Sequence, residues 1–148
     1  MEIKPDKITI EDFGAGIDDM DKFIIVGHDG KLQRENKRST IGQKGMGKLS
    51  LLILGDEVTF LSNNGKVGYK FKMVEGGQHR ETPSNADNYL SHKGTFIEIL
   101  QPKKIWDVEK VRAFLKKAFS LQVAMGKEII INGEHLKAPK TISSEEKF

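Results

Sequence analysis

Two alternating apolar runs on either side of Asn63-Asn64-Gly65 constrain the fold of this 148-residue chain most strongly. Asn and Gly tolerate the positive φ angles of a tight hairpin turn, so this pattern predicts two antiparallel strands, 57–62 and 66–74. Alternation and turn residues also predict strands at 7–12 and 94–100 and a smaller hairpin at 127–136. The hairpins make the sheet at least partly antiparallel. The element order therefore predicts an α+β two-layer sandwich and not a doubly wound parallel sheet.

Apolar periodicity and capping residues predict three helices. The first covers 17–26, after glycines that end the first strand. The second is a short buried helix over 49–54, capped by Gly55. The third covers 107–122, with Asp107 as its N-cap. Its buried stripe is predicted to consist of Val108, Val111, Leu115, Ala118 and Phe119. The polar stretches in between are predicted to be loops, at 27–42 and 75–93.

The composition excludes several classes of protein. Lys and Arg number 24 and Asp and Glu 21, and the resulting net charge of +3 is too small to indicate nucleic-acid binding by itself. Cysteine is absent, which excludes disulfides, thiolate zinc sites and cysteine nucleophiles. The sequence lacks both a long apolar run and an apolar N-terminal signal region. We therefore expect one cytoplasmic domain over 1–138, with a polar tail or the start of a linker at 139–148.

The histidines offer no obvious site for a metal. Their positions do not have the spacing of metal ligands, and each is expected at the surface. They are His28, His79, His92 and His135. No catalytic residue and no metal ligand is assigned from the sequence.

Asp12 is the first candidate for a binding residue. Strand alternation places its side chain on the same face as Ile8 and Ile10, where a buried carboxylate would need a hydrogen-bond donor. One interpretation is that the strand has ended and Asp12 is solvated or caps a turn. The other is a carboxylate at the floor of a pocket that accepts a hydrogen bond from a ligand amino group. Gly14 and Gly16 would then let the ligand approach the backbone.

A glycine-rich basic segment precedes the second predicted helix. Glycines expose backbone N–H groups in a tight turn, and the helix start adds partial positive charge, so the segment is a candidate anion site. Its residues are Gly42, Gln43, Lys44, Gly45, Met46, Gly47 and Lys48. A plain turn is the alternative. The P-loop pattern fails at Leu49, where a hydroxyl is needed, and a dinucleotide-binding pattern fails at Asp19.

The polar stretch before this segment is basic. It could bind polyphosphate, or nucleic acid, or simply be a solvated loop. Aromatic residues that would stack on bases are missing from it. The basic residues are Lys31, Arg34, Lys37 and Arg38.

In order and spacing, these features resemble the Bergerat-fold (GHKL) ATPase superfamily, which includes gyrase, heat-shock chaperones, histidine kinases and MutL. Residues 12–17 look like its first glycine box, DxGxG, and 42–47 look like its second, GxxGxG, in the chaperone, MutL and MORC form. Gly94-Thr95 with the strand after it is similar to the late GT strand, and 128–134 to the closing strand and turn. The resemblance covers about residues 8–136.

The resemblance implies a mixed, largely antiparallel sheet with helices on one face, and a site for ATP or ADP. Asp12 would accept the adenine amino group, Gly16 would allow the base to approach, and Thr95 would support the contact through water. The phosphates would lie on backbone N–H groups of Gly45, Met46, Gly47 and Lys48, under an ATP lid at 27–41. The expected binding residues are Asp12, Gly14, Gly16, Ile17, Gly42, Gln43, Lys44, Gly45, Met46, Gly47, Lys48 and Thr95.

Two departures from the family pattern affect these expectations. Phe13 occupies a position that is usually small or polar. In the family, a helix upstream of the first box carries a Glu that activates water and an Asn that holds Mg²⁺, and only six residues precede Lys7 here. We therefore expect Mg²⁺ with ATP to lack its Asn ligand, and this chain alone to hydrolyse ATP very poorly or not at all. Apolar surface left uncovered by that helix predicts a homo-oligomer or contact with further domains of a larger ATPase.

Two other functions stay open at this point. The chain could be a degenerate protein-interaction module that keeps the fold without binding nucleotide. It could also bind nucleic acid through the basic lid. The sequence does not distinguish the branches of the superfamily or the process that nucleotide binding would drive.

Overall fold

The computed structural model describes residues 1–20, 54–74 and 77–137. Seven strands form one sheet: β1 (Glu2–Ile3), β2 (Lys7–Asp12), β3 (Gly55–Asn63), β4 (Val67–Val74), β5 (Gly77–Arg80), β6 (Ser84–Asn85) and β7 (Gly94–Pro102). Two helices follow, α1 (Val108–Ala118) and α2 (Ser120–Ala124). A separate small hairpin consists of β8 (Ile130–Ile131) and β9 (Glu134–His135). No helix in these ranges is long and apolar enough to cross a lipid bilayer.

The main sheet has the order β1-β2-β7-β3-β4-β5, and β6 also pairs with β4. Every pairing in the described ranges is antiparallel. The α+β class and the mostly antiparallel sheet expected from the sequence are therefore confirmed. The late strand β7 lies at the centre, between β2 and β3, so it brings distant parts of the chain into register.

The two faces of the sheet differ in polarity because alternate side chains point to opposite sides. Cross-strand register aligns one buried apolar row across four strands, which consists of Ile8, Ile99, Val58 and Met73. On the other face, the corresponding row is polar and carries Thr9, Glu98, Thr59 and Lys72. An ion pair on this polar face joins Lys72 Nζ to Glu57 Oε1 at 2.8 Å. Among the described residues, the buried core therefore lies against one face of the sheet.

Helix α1 packs part of its predicted buried stripe against this core. Asp107 is its N-cap, as predicted: its Oδ1 accepts hydrogen bonds from the backbone amides of Glu109 at 3.0 Å and Lys110 at 3.1 Å. Within the predicted stripe, the residues packed against the core are Val108, Val111 and Leu115. Ala118 is exposed, and the helix is interrupted at Phe119 instead of continuing to 122. Phe119 has φ −116° and ψ 21°, outside helical values, which separates α1 from α2.

Three predicted elements differ from the structure. Residues 17–19 are not helical, although Met20 is, because side chains of the β3–β4 hairpin hold this backbone. Leu54 lies in a turn and Gly55 begins β3, so the part of the second predicted helix that is described is not helical. The stretch 77–93 was predicted as loop but contains β5 and β6, since β4 offers them free backbone groups. The remainder of both helices, the lid at 27–41 and the tail at 139–148 lie outside the described residues.

The N-terminal strand is joined to the β8–β9 turn. Asn132 Oδ1 accepts a hydrogen bond from the Ile3 backbone amide at 2.7 Å, and the Asn132 amide donates to Met1 O at 3.0 Å. The backbone and side chain of Asn132 thus form hydrogen bonds to β1 of the kind that a neighbouring strand would form. The small hairpin predicted at 127–136 is present, with shorter strands than expected.

Candidate functional site

Three polar side chains meet where β2, β7 and β3 lie side by side. The register pairs Asp12 with Thr95, and Thr95 with Ser62. Directly opposed residues point to the same face, with Cβ atoms about 4.5–5.5 Å apart. These three therefore form a polar row that continues the apolar rows of the core face. Asp12 is exposed, Thr95 is half-buried and Ser62 is fully buried, so the row leads from solvent into the core.

The solvated, turn-closing interpretation of Asp12 matches its surroundings in the described residues. Asp12 lies on the face of Ile8 and Ile10, as predicted, yet its side chain is exposed and closes a turn. Its Oδ1 accepts a hydrogen bond from the Gly14 backbone amide at 2.9 Å. Oδ2 has no hydrogen-bond donor among the described residues. The turn thus fixes the carboxylate orientation and leaves one oxygen able to accept a hydrogen bond from a ligand.

Thr95 is the second group in the row that could bind a ligand. Within the described part of the chain, its half-buried hydroxyl has no protein partner. A threonine hydroxyl both donates and accepts hydrogen bonds, so Thr95 could bind a water molecule or a ligand atom beside Asp12.

Ser62 connects the backbone at Ile17 to β7. Its Oγ accepts a hydrogen bond from the Ile17 backbone amide at 2.8 Å and donates one to Gly94 O at 3.2 Å. Asn64 Nδ2 donates to Ile17 O at 3.1 Å, and Tyr69 Oη donates to Asp18 O at 3.3 Å. The β3–β4 hairpin therefore holds the backbone that follows the box by side-chain hydrogen bonds.

Two glycines are required by the close approach of these segments. Gly16 has φ +75°, and a Cβ there would lie 2.3 Å from Asn63 O. Gly94 has φ +142°, and a Cβ there would lie 2.0 Å from Asp12 O. A side chain at Gly94 would force β7 and β2 apart at Asp12, and one at Gly16 would displace the backbone from the β3–β4 turn. Gly16 thus has a structural requirement besides the ligand approach expected from the sequence.

A second cluster lies beside Asp12 and contains Phe13, His92 and Glu11. The Phe13 ring is 76% exposed, and its centroid lies 4.4 Å from that of the His92 ring. His92 Nδ1 lies 3.0 Å from Lys93 O, and Nε2 lies 2.5 Å from Glu11 Oε1. With Glu11 ionised, both ring nitrogens face acceptors, an arrangement that favours the doubly protonated imidazolium.

The contacts of His92 explain its raised pKa. The hydrogen bond to the Lys93 carbonyl contributes most, partial burial opposes it, and the Glu11 carboxylate and the charge of Asp12 raise the pKa further. His92 is therefore a titratable group next to Glu11 and Phe13.

The structure brings some of the predicted site residues together. Asp12, Gly14 and Thr95 lie at one end of the sheet. Gly16 and Ile17 follow, but both backbone groups of Ile17 are occupied by Ser62 and Asn64, so only its half-buried side chain is available. The remaining predicted residues lie outside the described part of the chain: Gly42, Gln43, Lys44, Gly45, Met46, Gly47 and Lys48.

Sequence patterns did not indicate the contacts that three residues of this region make. Ser62 and His92 act through partners that are distant in sequence. Asn63 is buried; its Nδ2 donates to Asp87 Oδ1 and to Leu90 O, both at 2.9 Å. A weak signal for Ser62 existed, because it occupies an inward position of a strand whose other inward residues are apolar.

Comparisons with known proteins assign neither a family nor a function to this chain. No protein-family model matches the chain, and no curated protein matches it. Across 1–20, 54–74 and 77–137, no three His, Asp or Glu side chains form a group that could hold a metal ion. Any function must therefore be argued from the geometry of the site and the motifs.

Proposed function

We propose that this chain is an adenine-nucleotide-binding domain of the GHKL type, with Asp12 as the acceptor for the adenine amino group. The observation that carries the proposal is the direct pairing of Asp12 with Thr95 across β2 and β7. The two residues come from motifs that are far apart in the sequence. Their common position at one sheet end supports a joint role, which neither motif could indicate alone.

The chemistry of the row suits an adenine edge. An exocyclic amino group is a hydrogen-bond donor, and Asp12 Oδ2 is an oriented acceptor whose companion oxygen is already bound by Gly14 N. The Thr95 hydroxyl can hold a water molecule between the carboxylate and a ring nitrogen. A hydrogen bond to a charged group contributes about 1.5–3 kcal/mol, enough to select a base that carries an amino group.

The phosphate part of the proposal comes from the sequence. The glycine-rich segment 42–48 and the basic lid at 27–41 would bind the di- or triphosphate, since both carry N–H donors or positive charge. The Bergerat fold is likewise proposed on the basis of these motifs, and the antiparallel sheet with its core on one face is compatible with it. Hydrolysis and larger assemblies follow only from the resemblance, and the cytoplasmic location only from the sequence.

Titration calorimetry with ADP and ATP, each with and without Mg²⁺, tests the proposal. The decisive variant is Asp12→Asn, because its Oδ1 can still accept from Gly14 N while an NH₂ group replaces Oδ2. A donor would then face the adenine donor. We expect unchanged unfolding behaviour and a loss of affinity of about 10- to 150-fold, from the energy of a charged hydrogen bond.

Asp56→Asn is the matched control, since it removes one exposed carboxylate near the other end of β3. Its affinity should equal that of the unaltered chain. Equal affinities of Asp12→Asn and Asp56→Asn would exclude the adenine role of Asp12. If the unaltered chain shows no heat and no thermal shift at millimolar nucleotide, the proposed function is wrong and the interaction module is favoured.

A further inference from the structure

The two helices carry an apolar stripe that points away from the core. Its large members are Phe114, 67% exposed, Leu121, 67% exposed, and Met125, 76% exposed, and Ala118 is exposed between them. Single exposed apolar residues are common, but a contiguous set on one helix face often marks an interaction site. We call these four residues the apolar stripe.

The stripe is continuous across the break between the helices. Phe119 N donates to Leu115 O at 2.9 Å, and Val123 N donates to Phe119 O at 3.0 Å, so the i to i−4 pattern crosses the junction. The spacing of the stripe residues, i, i+4, i+7 and i+11, is that of one helix face. The stripe is separate from the face of α1 that contacts the core, which carries Val108, Val111 and Leu115.

The charged residues of α1 that neighbour Phe114 have one sign. Lys110 and Lys117 lie four residues before and three residues after Phe114, which places them next to it on the helix surface. The acidic residue of α1, Glu109, lies toward another face and pairs with Arg112, with Oε1 and Nε 3.6 Å apart. The stripe is therefore an apolar surface with a basic border.

This charge pattern distinguishes between occupants. In a two-fold pairing of the stripe with a second copy of this chain, residues near its centre meet their own equivalents, so Lys117 would face Lys117. Like charges at close range disfavour that contact. A segment with acidic residues beside its apolar positions would instead pair with both lysines.

We propose that the apolar stripe is a docking surface for an amphipathic helix with acidic flanks, from another protein or domain. Such a helix places apolar residues at i, i+4 and i+7 against Phe114, Ala118 and Leu121, and its carboxylates face Lys110 and Lys117. The surface lies on helices that contribute no residue to the proposed nucleotide site. The two proposals can therefore succeed or fail separately.

The test uses the full chain and three fluorescein-labelled helical peptides with the same leucine face. Their flanking positions carry Glu, Gln or Lys, and binding is followed by fluorescence anisotropy. We expect the Glu peptide to bind at least tenfold more tightly than the Gln peptide, with affinity that weakens as salt is raised. Leu121→Gln should weaken this binding at least tenfold, whereas Ile105→Gln, at another exposed apolar residue, should leave it unchanged.

Charge reversal separates a specific surface from general stickiness. Lys117→Glu should weaken binding of the Glu peptide and strengthen binding of the Lys peptide. Lys66→Glu, at an exposed lysine beside the β3–β4 turn, should change neither affinity. Equal binding of the Glu and Gln peptides would overturn the proposal. So would a dimer in sedimentation that Phe114→Gln abolishes, because a second copy would then be the occupant.

Discussion

Replacing Ser62 by Ala should destabilise the protein through two lost hydrogen bonds at a fully buried position. The hydroxyl is 0% exposed and connects Ile17 N and Gly94 O at 2.8 and 3.2 Å. A buried donor left unsatisfied costs about 1–3 kcal/mol. The Gly94 carbonyl has a second lone pair, so we assign it the lower part of the net range, about 0.5 kcal/mol. We therefore expect a loss of about 1.5–3.5 kcal/mol.

Equilibrium unfolding in urea measures this loss. With a slope of about 2 kcal/mol per molar urea, the midpoint should fall by about 0.8–1.8 M with the slope unchanged. Ser91→Ala removes a hydroxyl from an exposed residue and should change stability by less than about 0.5 kcal/mol. Amide exchange gives a local readout, because Ile17 N–H should lose protection in Ser62→Ala and keep it in Ser91→Ala.

The reasoning would be refuted if the two serine variants had the same midpoint. It would also be refuted if Ser62→Ala were destabilised while the Ile17 amide stayed protected, since the loss would then have another origin. Either result would mean that Ser62 does not hold the backbone at Ile17 against the β3–β4 hairpin.

The remaining predictions concern the surroundings of Asp12 and the start of α1. Glu11→Gln should lower the raised pKa of His92, measured by NMR titration of its ring, because the charged acceptor is removed. Gly16→Ala should cost at least about 2 kcal/mol, from the positive φ and the 2.3 Å approach to Asn63 O, and calorimetric melting should show it. Asp107→Ala should cost about 1 kcal/mol in urea unfolding because the helix cap is lost.

The histidine also gives stability a pH dependence of known sign. A folded-state pKa above the unfolded value of about 6.5 contributes stability that is complete below that value and is lost as pH rises through the folded pKa. His92→Gln should therefore destabilise the protein more at pH 5.5 than at pH 8.5.

Glu57→Gln, at the opposite end of the sheet, controls the Glu11 variant and should leave the pKa of His92 unchanged. If the pKa of His92 is the same in Glu11→Gln as in the unaltered chain, an ion pair between Glu11 and His92 is excluded.

Local patterns predicted the parts of the fold that depend on few neighbours. The turn at Asn63-Asn64-Gly65 is present because its residues satisfy the turn by themselves: Asn64 Oδ1 accepts from Lys66 N at 2.9 Å and from Val67 N at 2.8 Å. Asp107 was predicted as an N-cap for the same reason, since capping involves only the next three residues.

Patterns misled where a distant part of the chain competes with local preference. Residues 17–19 have helical periodicity, but hydrogen bonds from Ser62, Asn64 and Tyr69 hold their backbone outside a helix. Residues 77–80 are polar and look like a loop, yet they pair with β4 as an edge strand. Strand pairing at an edge requires free backbone groups and not an apolar sequence, so composition could not indicate it.

The candidate site shows the same division. Local sequence patterns indicated the candidate residues: a carboxylate at a strand end, glycines after it, and a late Gly-Thr pair. Their arrangement is a property of the tertiary structure: Asp12 and Thr95 are direct neighbours, Ser62 joins the row and His92 lies beside it. Local patterns could not predict this arrangement because β7 pairs with both β2 and β3, and the register between strands that are distant in sequence is set by packing of their common apolar face.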